Sequence, residues 1–455
     1  MSDLATPSDA PDVTTHSTSE HGRLLQALGV VFGLAVIVGN TIGMGILRTP
    51  GEIAARLPTT PLFLGAWIVG GLYALLGALA LAELGTMIPK SGGQYVFVRR
   101  ALGEYPGFVV GWSDWLSTCA STSAVAIVIG EYAPALFPAL AGRASLTACA
   151  VVVAFSILQW QGVNWGDRTQ QITSLLKALA LVALTVACFA IPAPAQPSAE
   201  AVTASAGSAG LGFLAGVVVA LQGVIYTYDG WNGVIYFSEE VRDPGRDIPR
   251  SMFGGVLLVT VIYLALNVAF LHVLPLSAMA GDKFVAGTAA AAIFGARGDT
   301  VIRSLMVLAL LSSVNALQLM ASRVPFAMSR DRLLPARVMR VNGGGTPTTA
   351  LVLVTAVALA FILTGTFGQV LALTAFFFVL NYLLSFTSLF VLRHREPDTA
   401  RPYRAWGYPW TTGIALVGSL AFLVGALFGD RVNSMRSLAL LALSYPIYLM
   451  MKRVL

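Results

Sequence analysis

The sequence predicts an all-α integral membrane protein of twelve transmembrane helices, and three observations predict it: composition, recurrent uncharged apolar runs, and the placement of Lys and Arg. Of 455 residues, 56% are hydrophobic and 11% charged, whereas soluble proteins average roughly 45–50% and 25%. The mean hydropathy is +0.76. The runs at 28–47, 61–82 and 144–163 contain no charge, and each can cross a hydrocarbon core of about 30 Å as a helix.

Taken in order, the apolar runs and their polar punctuation place spans at 28–48, 61–87, 106–137, 144–163, 169–192, 211–238, 251–275, 300–328, 347–366, 369–392, 408–429 and 434–451. Residues 1–23 are rich in Ser, Thr, Asp and Pro, with no basic n-region or cleavage-like site, and are expected to be a disordered tail. Residues 24–192 form a first unit of five spans, and 193–210, rich in Ala, Ser and Pro, an external linker. A second unit of five spans covers 211–393, and 394–455 holds the last two spans with a short C-terminus. The segment 276–299 is expected to hold a short interfacial helix.

With loops assigned to alternate sides, 19 of the 28 Lys and Arg residues fall on one side and 8 on the other, with Lys177 inside a span. The positive-inside rule then makes both termini cytoplasmic. The formal charge of +6 does not point to nucleic acid, because the basic residues lie in short loops and form no run. Cys119, Cys149 and Cys188 are isolated in apolar segments and His16, His21, His272 and His394 are scattered. No metal or other cofactor is expected. Nor is an enzyme: HExxH, GxSxG and an acidic metal cluster are all missing.

Two spans carry interruptions. Span 1 contains GNTIGMGIL, Gly39 to Leu47, with three glycines within seven residues, and span 6 contains YTYDGWNG, Tyr226 to Gly233. Glycine lets backbone unwind and approach a ligand, and non-helical backbone at membrane depth is tolerated only where protein buries it or it lines a cavity. Spans 1 and 6 are five apart and run in opposite directions, as an inverted repeat of spans 1–5 and 6–10 requires. Half-helix N–H groups would suit a carboxylate and unwound carbonyls an ammonium, so a zwitterion fits. The plainer reading of Gly39 and Gly43 is a helix-packing face.

Asp114, Lys177 and Asp229 fall inside spans, where an Asp or Lys costs at least about 2.5–3.5 kcal/mol. Lys177 lies roughly 12 Å into span 5 at 1.5 Å per residue. It reads either as a proton-exchanging amine or as a fixed cation that pins helix 5 to helix 1 and occupies the space of a sodium ion. Asp229 could bind an ammonium, accept a proton, or cap a half-helix. Asp114, two turns from the cytoplasmic end of span 3, reads as an interfacial structural residue. Glu83, Glu239 and Glu240, at cytoplasmic span ends, read as partners for loop arginines.

Five segments together resemble the amino acid, polyamine and organocation transporter superfamily, closest to its L-type-like bacterial amino acid permeases. They are GNTIGMGIL, AELGTMIPKSGGQYVFV from Ala82, YTYDGWNGVIYFSEEVRDPGRDIPRS from Tyr226, SRVPFAMSRDRLLP from Ser322, and RPYRAWGYP from Arg401. The resemblance, over about 28–450, implies a LeuT-like five-plus-five inverted-repeat fold with substrate between broken helices 1 and 6. It implies that amides around Gly43, Met44 and Gly45 hold a carboxylate. Carbonyls of Thr41, Ile42, Tyr226, Thr227 and Tyr228, beside Asp229 and Gly230, hold the amino group. Tyr226 would close over the substrate and Asn381 line the site, while Lys177 matches the lysine of sodium-independent members, with Ser312 and Ser313 as candidate partners. It further implies an amino acid antiporter or proton symporter of the bacterial cytoplasmic (inner) membrane, multi-pass in the lipid bilayer. Two departures stand out: Met44 replaces a small residue and Asp229 a glycine of the L-type pattern. No cysteine lies in the loop between spans 3 and 4, so no disulfide-linked heavy subunit is expected. An amine or polyamine transporter anchored by Asp229, and a non-transporting amino acid sensor, are the alternatives.

Overall fold

A computed structural model describes residues 26–43, 45–191, 211–282, 284–364, 367–429 and 431–454. The expected disordered tail, the linker at 193–210 and Met44 lie outside them. The described chain is helical, with only two isolated bridges outside the helices. The helices are α1 (Val30–Thr41), α2 (Gly45–Arg56), α3 (Thr60–Met87), α4 (Gln94–Leu102), α5 (Glu104–Tyr132), α6 (Ala144–Trp160), α7 (Val163–Ala190) and α8 (Leu211–Tyr228). They continue as α9 (Pro244–Val273), α10 (Leu276–Met279), α11 (Val285–Phe294), α12 (Ala296–Arg330), α13 (Thr348–Thr364), α14 (Phe367–Arg395), α15 (Trp410–Gly429) and α16 (Arg431–Val454).

Each of the apolar runs is helical, but the runs are not equivalent. Seven helices are long and apolar enough to cross a membrane: α3, α7, α9, α12, α14, α15 and α16. The run at 28–48 is divided into α1 and α2, and α2 continues to Arg56 through Arg48, Pro50 and Glu52, residues that hydropathy alone takes as the end of a span. The run at 106–137 becomes α5, whose buried Ser113, Asp114, Ser117, Thr118, Ser121, Thr122 and Ser123 make it the interior helix of the bundle. It stops at Tyr132, before the short 3-10 turn around Pro134. The segment 276–299 holds two short helices, α10 and α11, ahead of α12. The amphipathic α4 was not expected, because nine residues with two arginines leave no apolar run.

α5 packs against α4, α6, α12, α13 and α14, and α1 against α7, α9 and α12. α15 turns Trp410, Ile414, Val417, Val424 and Phe428 outward at helical spacing, and α7 likewise exposes Leu175, Leu179, Val182 and Val186. Apolar faces of that extent on a helical bundle suit lipid contact. On the side of the Lys- and Arg-rich loops, Leu28 pairs in parallel with Val241: Leu28 N–H donates to Glu240 O at 3.0 Å and Arg242 N–H to Leu28 O at 2.9 Å. The approach to α1 is thereby stitched to the chain leaving α8.

Candidate functional site

Both glycine-marked interruptions are breaks in helices. α1 ends at Thr41, Ile42 is extended (φ −76°, ψ 91°), and α2 starts at Gly45. α8 ends at Tyr228, and after a turn at 229–232 a 3-10 segment runs Gly233–Phe237. Gly230 has φ +104°, a left-handed conformation that favours glycine. A Cβ there would stand 2.4 Å from Asn40 Nδ2, and one on Gly45 would stand 2.7 Å from Thr227 Oγ1, so the two breaks press against each other.

Between them lies a cavity of about 50 Å³. The first break lines it with Asn40, Thr41, Gly43 and Gly45, and the second with Tyr226, Thr227 and Asp229. α5 adds Ser121 and Val125, α12 adds Ser313 and Leu317, and α14 adds Phe378. The hydroxyls of Thr41 and Ser121 are buried there without a hydrogen-bond partner, so both are available to a bound solute.

Lys177 on α7 is 2% exposed and reaches the bend of the first break. Its ammonium donates to Gly39 O at 2.8 Å, to Ser313 Oγ at 2.9 Å and to Ile42 O. An ammonium has three N–H donors, and each meets an acceptor. No carboxylate pairs with it among the described residues. Ser312, expected beside it, instead pairs with Ser174 Oγ at 3.0 Å and accepts from Gln170 Nε2 at 3.3 Å. The cause is helical geometry: consecutive residues on α12 point about 100° apart, so only Ser313 faces the break.

Behind the breaks, the Tyr263 hydroxyl on α9 lies 2.7 Å from Thr41 O and 3.0 Å from Thr227 O. The carbonyls of Thr41, Ile42 and Thr227 therefore already have donors nearby, from Tyr263 and Lys177, and each keeps a second lone pair for a solute. Tyr228 points away from the cavity and donates to Trp67 O at 3.1 Å. Asp229 accepts from the Tyr382 hydroxyl. Asn381 does not line the cavity; its Oδ1 accepts from Ser113 Oγ at 2.8 Å while its Nδ2 has no partner.

Asp114 is 2% exposed and accepts from the Tyr236 hydroxyl at 2.8 Å, where α4, α12 and α14 pack around α5. The glutamates do meet arginines: Glu83 with Arg393 and Arg401, Glu239 with Arg330, Glu240 with Arg323. Sequence reasoning missed Asn40, Ser121, Val125, Leu317, Phe378 and the two phenols of Tyr263 and Tyr382. The spacing Ser113, Ser117, Ser121, a polar stripe at i, i+4, i+8 inside an apolar run, is a signal that could have found Ser121.

Residues 24–451 match the family model described as amino acid permease. The chain is 28% identical over 441 residues to the serine/threonine exchanger SteT of Bacillus subtilis, covering 96% of this chain and 99% of that one. It is 28% identical to the b(0,+)-type amino acid transporter 1 of Mus musculus, covering 86% and 81%. It is 30% identical to the large neutral amino acids transporter small subunit 2 of Homo sapiens, covering 93% and 80%. These relatives are transporters and not enzymes. With paired helix breaks around a small polar cavity, apolar helices fit for a bilayer and a family match over nearly its whole length, the chain is a multi-pass membrane protein belonging to the amino acid permeases of the amino acid, polyamine and organocation superfamily, whose work is amino acid transport.

Proposed function

We propose that the protein is a sodium-independent transporter of neutral L-amino acids that works by alternating access. The single observation that carries this reading is the Lys177 ammonium seated on Gly39 O, Ile42 O and Ser313 Oγ at the first break, which supports a fixed protein cation where a sodium ion would otherwise coordinate. The substrate carboxylate sits on the amides of Gly43, Met44 and Gly45, and the amino group on the free lone pairs of the Thr41, Ile42, Tyr226, Thr227 and Tyr228 carbonyls. Tyr226 closes the cavity. Asp229 is the one acid among the described cavity-lining residues and is held by Tyr382, which leaves no counter-charge for a cationic side chain. Twelve spans in a five-plus-five inverted repeat, with spans 11 and 12 outside it, fit the helix order. Both termini are cytoplasmic in a bacterial inner membrane, and the chain works without a heavy subunit.

Asp229 also favours a second reading, in which its carboxylate anchors the ammonium of an amine or polyamine. Uptake of radiolabelled amino acids into liposomes, with and without internal amino acid, separates the two. Alanine, serine and leucine are expected to enter without sodium and to exchange with internal substrate. A sodium requirement, or preference for arginine, a polyamine or a decarboxylated analogue, would overturn the proposal, and binding without flux would make the protein a sensor.

A further inference from the structure

Inside the helical bundle, Asp114 on α5 and Asp229 at the second break have no Lys or Arg partner among the described residues. Asp229 lines the substrate cavity, but Asp114 belongs to no part of that site. Its Oδ1 accepts from the Tyr236 hydroxyl at 2.8 Å, and its Oδ2 is buried without any hydrogen-bond partner. The titratable groups on the elements around α5 are committed elsewhere. On α4, Tyr95 and Arg99 engage Asp331 and Arg100 engages Glu396. On α12, Arg323 engages Glu240, Arg330 engages Glu239, and Arg303 lies over the Tyr132 and Phe284 rings. On α14, Tyr382 engages Asp229 and Arg393 engages Glu83, while His394 is exposed at the end of the helix. On α16, Tyr448 and Lys452 engage Glu104, and Tyr445 packs on Tyr105. α6 offers only Cys149 and α13 nothing; Cys119 is on α5 itself.

Asp114 is also connected to the cavity. Ser113, beside it on α5, bonds Asn381 of α14 at 2.8 Å, and Tyr382, the next residue on α14, reaches Asp229 at the cavity wall. Asn381 Nδ2 is a second unmatched polar atom.

We propose that Asp114 binds the coupling proton of a proton-driven amino acid uptake, and that its charge state sets the tie between α5 and the segment leaving α8. The proposal rests on the transport reading above and names its driving ion. A single free carboxylate oxygen suffices for a proton, whereas a metal cation needs several converging oxygens. Lys177 is a poorer candidate because its three N–H donors are already matched as an ammonium. When ionised, Asp114 is a charged acceptor for the Tyr236 hydroxyl, and such bonds are roughly twice as strong as neutral ones. That bond holds the 3-10 segment after the second break against α5. A proton from the outside adds to Oδ2, forming one O–H bond, and weakens the tie so that the segment can move with α8. On the cytoplasmic side the O–H bond breaks, the proton leaves to water, and the tie re-forms.

The test uses the full chain in liposomes, with radiolabelled L-alanine, an inward proton gradient in one arm and internal alanine without a gradient in the other. Wild type is expected to accumulate alanine under the gradient. Asp114→Asn keeps an acceptor for Tyr236 but cannot titrate, and is expected to lose gradient-driven accumulation while it still exchanges; Asp114→Glu should retain accumulation. Tyr236→Phe, which keeps the ring and removes the donor that favours the ionised carboxylate, should raise the pH midpoint of uptake, and this reads the proposal even if Asp114→Asn does not fold. Gradient-driven accumulation by Asp114→Asn, an unmoved midpoint in Tyr236→Phe, or exchange without accumulation by wild type would overturn the proton site and leave the transporter reading intact. No exchange by wild type would overturn the transporter reading itself.

Discussion

The buried carboxylates at the end of the bundle that carries the Lys- and Arg-rich loops and those in its interior are handled in opposite ways. Glu83 is fully buried and receives Arg393 Nε at 2.9 Å, Arg393 Nη2 at 2.6 Å and the Ala405 amide at 2.6 Å, with Arg401 Nε 3.2 Å away. Glu240 takes a two-pronged Arg323, whose guanidinium also lies over the Phe237 ring. Asp114 receives a phenol, and Asp229 a phenol and the Gly230 amide, with no guanidinium on either among the described residues. A guanidinium fixes a carboxylate as an anion, since removing one partner of a buried pair costs about 3–5 kcal/mol. A phenol satisfies one oxygen and leaves the charge free to change. One set of acids fastens α3, α12, α14 and the chain after α8 together; the other, Asp229 at the cavity wall and Asp114 on α5, is tied to no guanidinium among the described residues.

The sharpest way to break this contrast is to unpair the belt. Glu240→Ala leaves Arg323 buried without its anion and should lower stability by about 3–5 kcal/mol, read as a large fall in the melting temperature of purified protein. Next comes Gly230→Ala, which forces a side chain into left-handed backbone against Asn40; about 1–3 kcal/mol of strain and loss of uptake are expected. Ser121→Ala should be almost silent in stability, within about 0.5 kcal/mol, because that hydroxyl has no partner to lose, while changing the ratio of serine to alanine uptake. The smallest effect belongs to the exposed rim of the belt. The hydrogen bond from Arg100 holds the Glu396 carboxyl below its ordinary value. Its contribution is therefore full above the unfolded carboxylate range and is lost as pH falls through the lower folded value. Glu396→Gln should flatten the acid limb of a melting-temperature profile by less than about 1 kcal/mol, since the pair is solvent-screened.

How far the sequence could be read follows the same division between local and distant causes. The helices follow from apolar runs, and the breaks from glycines at Gly39, Gly43, Gly45 and Gly230, because backbone freedom is written at the residue that uses it. Lys177 and the belt glutamates stand out as charges inside or beside apolar runs. Tyr263 and Tyr382 do not, since a tyrosine in an apolar run looks like packing until the carbonyl or carboxylate it meets, 222 residues away for Thr41 and 153 for Asp229, is in place. The burial of Asp114 is hidden for the same reason: a position counted along α5 says nothing of the helices that wrap it. α4 was missed because nine amphipathic residues leave no hydropathic trace.

The polar interior of α5 also bears on how the protein is made. A helix with Asp114 and six buried hydroxyl side chains at its centre partitions poorly from the translocon into lipid, where one mid-span Asp costs about 2.5–3.5 kcal/mol. α1 to α4 emerge first and α6 follows, but α12, the most extensive partner of α5, and α14 are synthesised much later. α5 must therefore wait at the translocon or against α4 and α6, and the order of synthesis leaves the part of its surface that α12 and α14 take uncovered until the second half of the chain arrives.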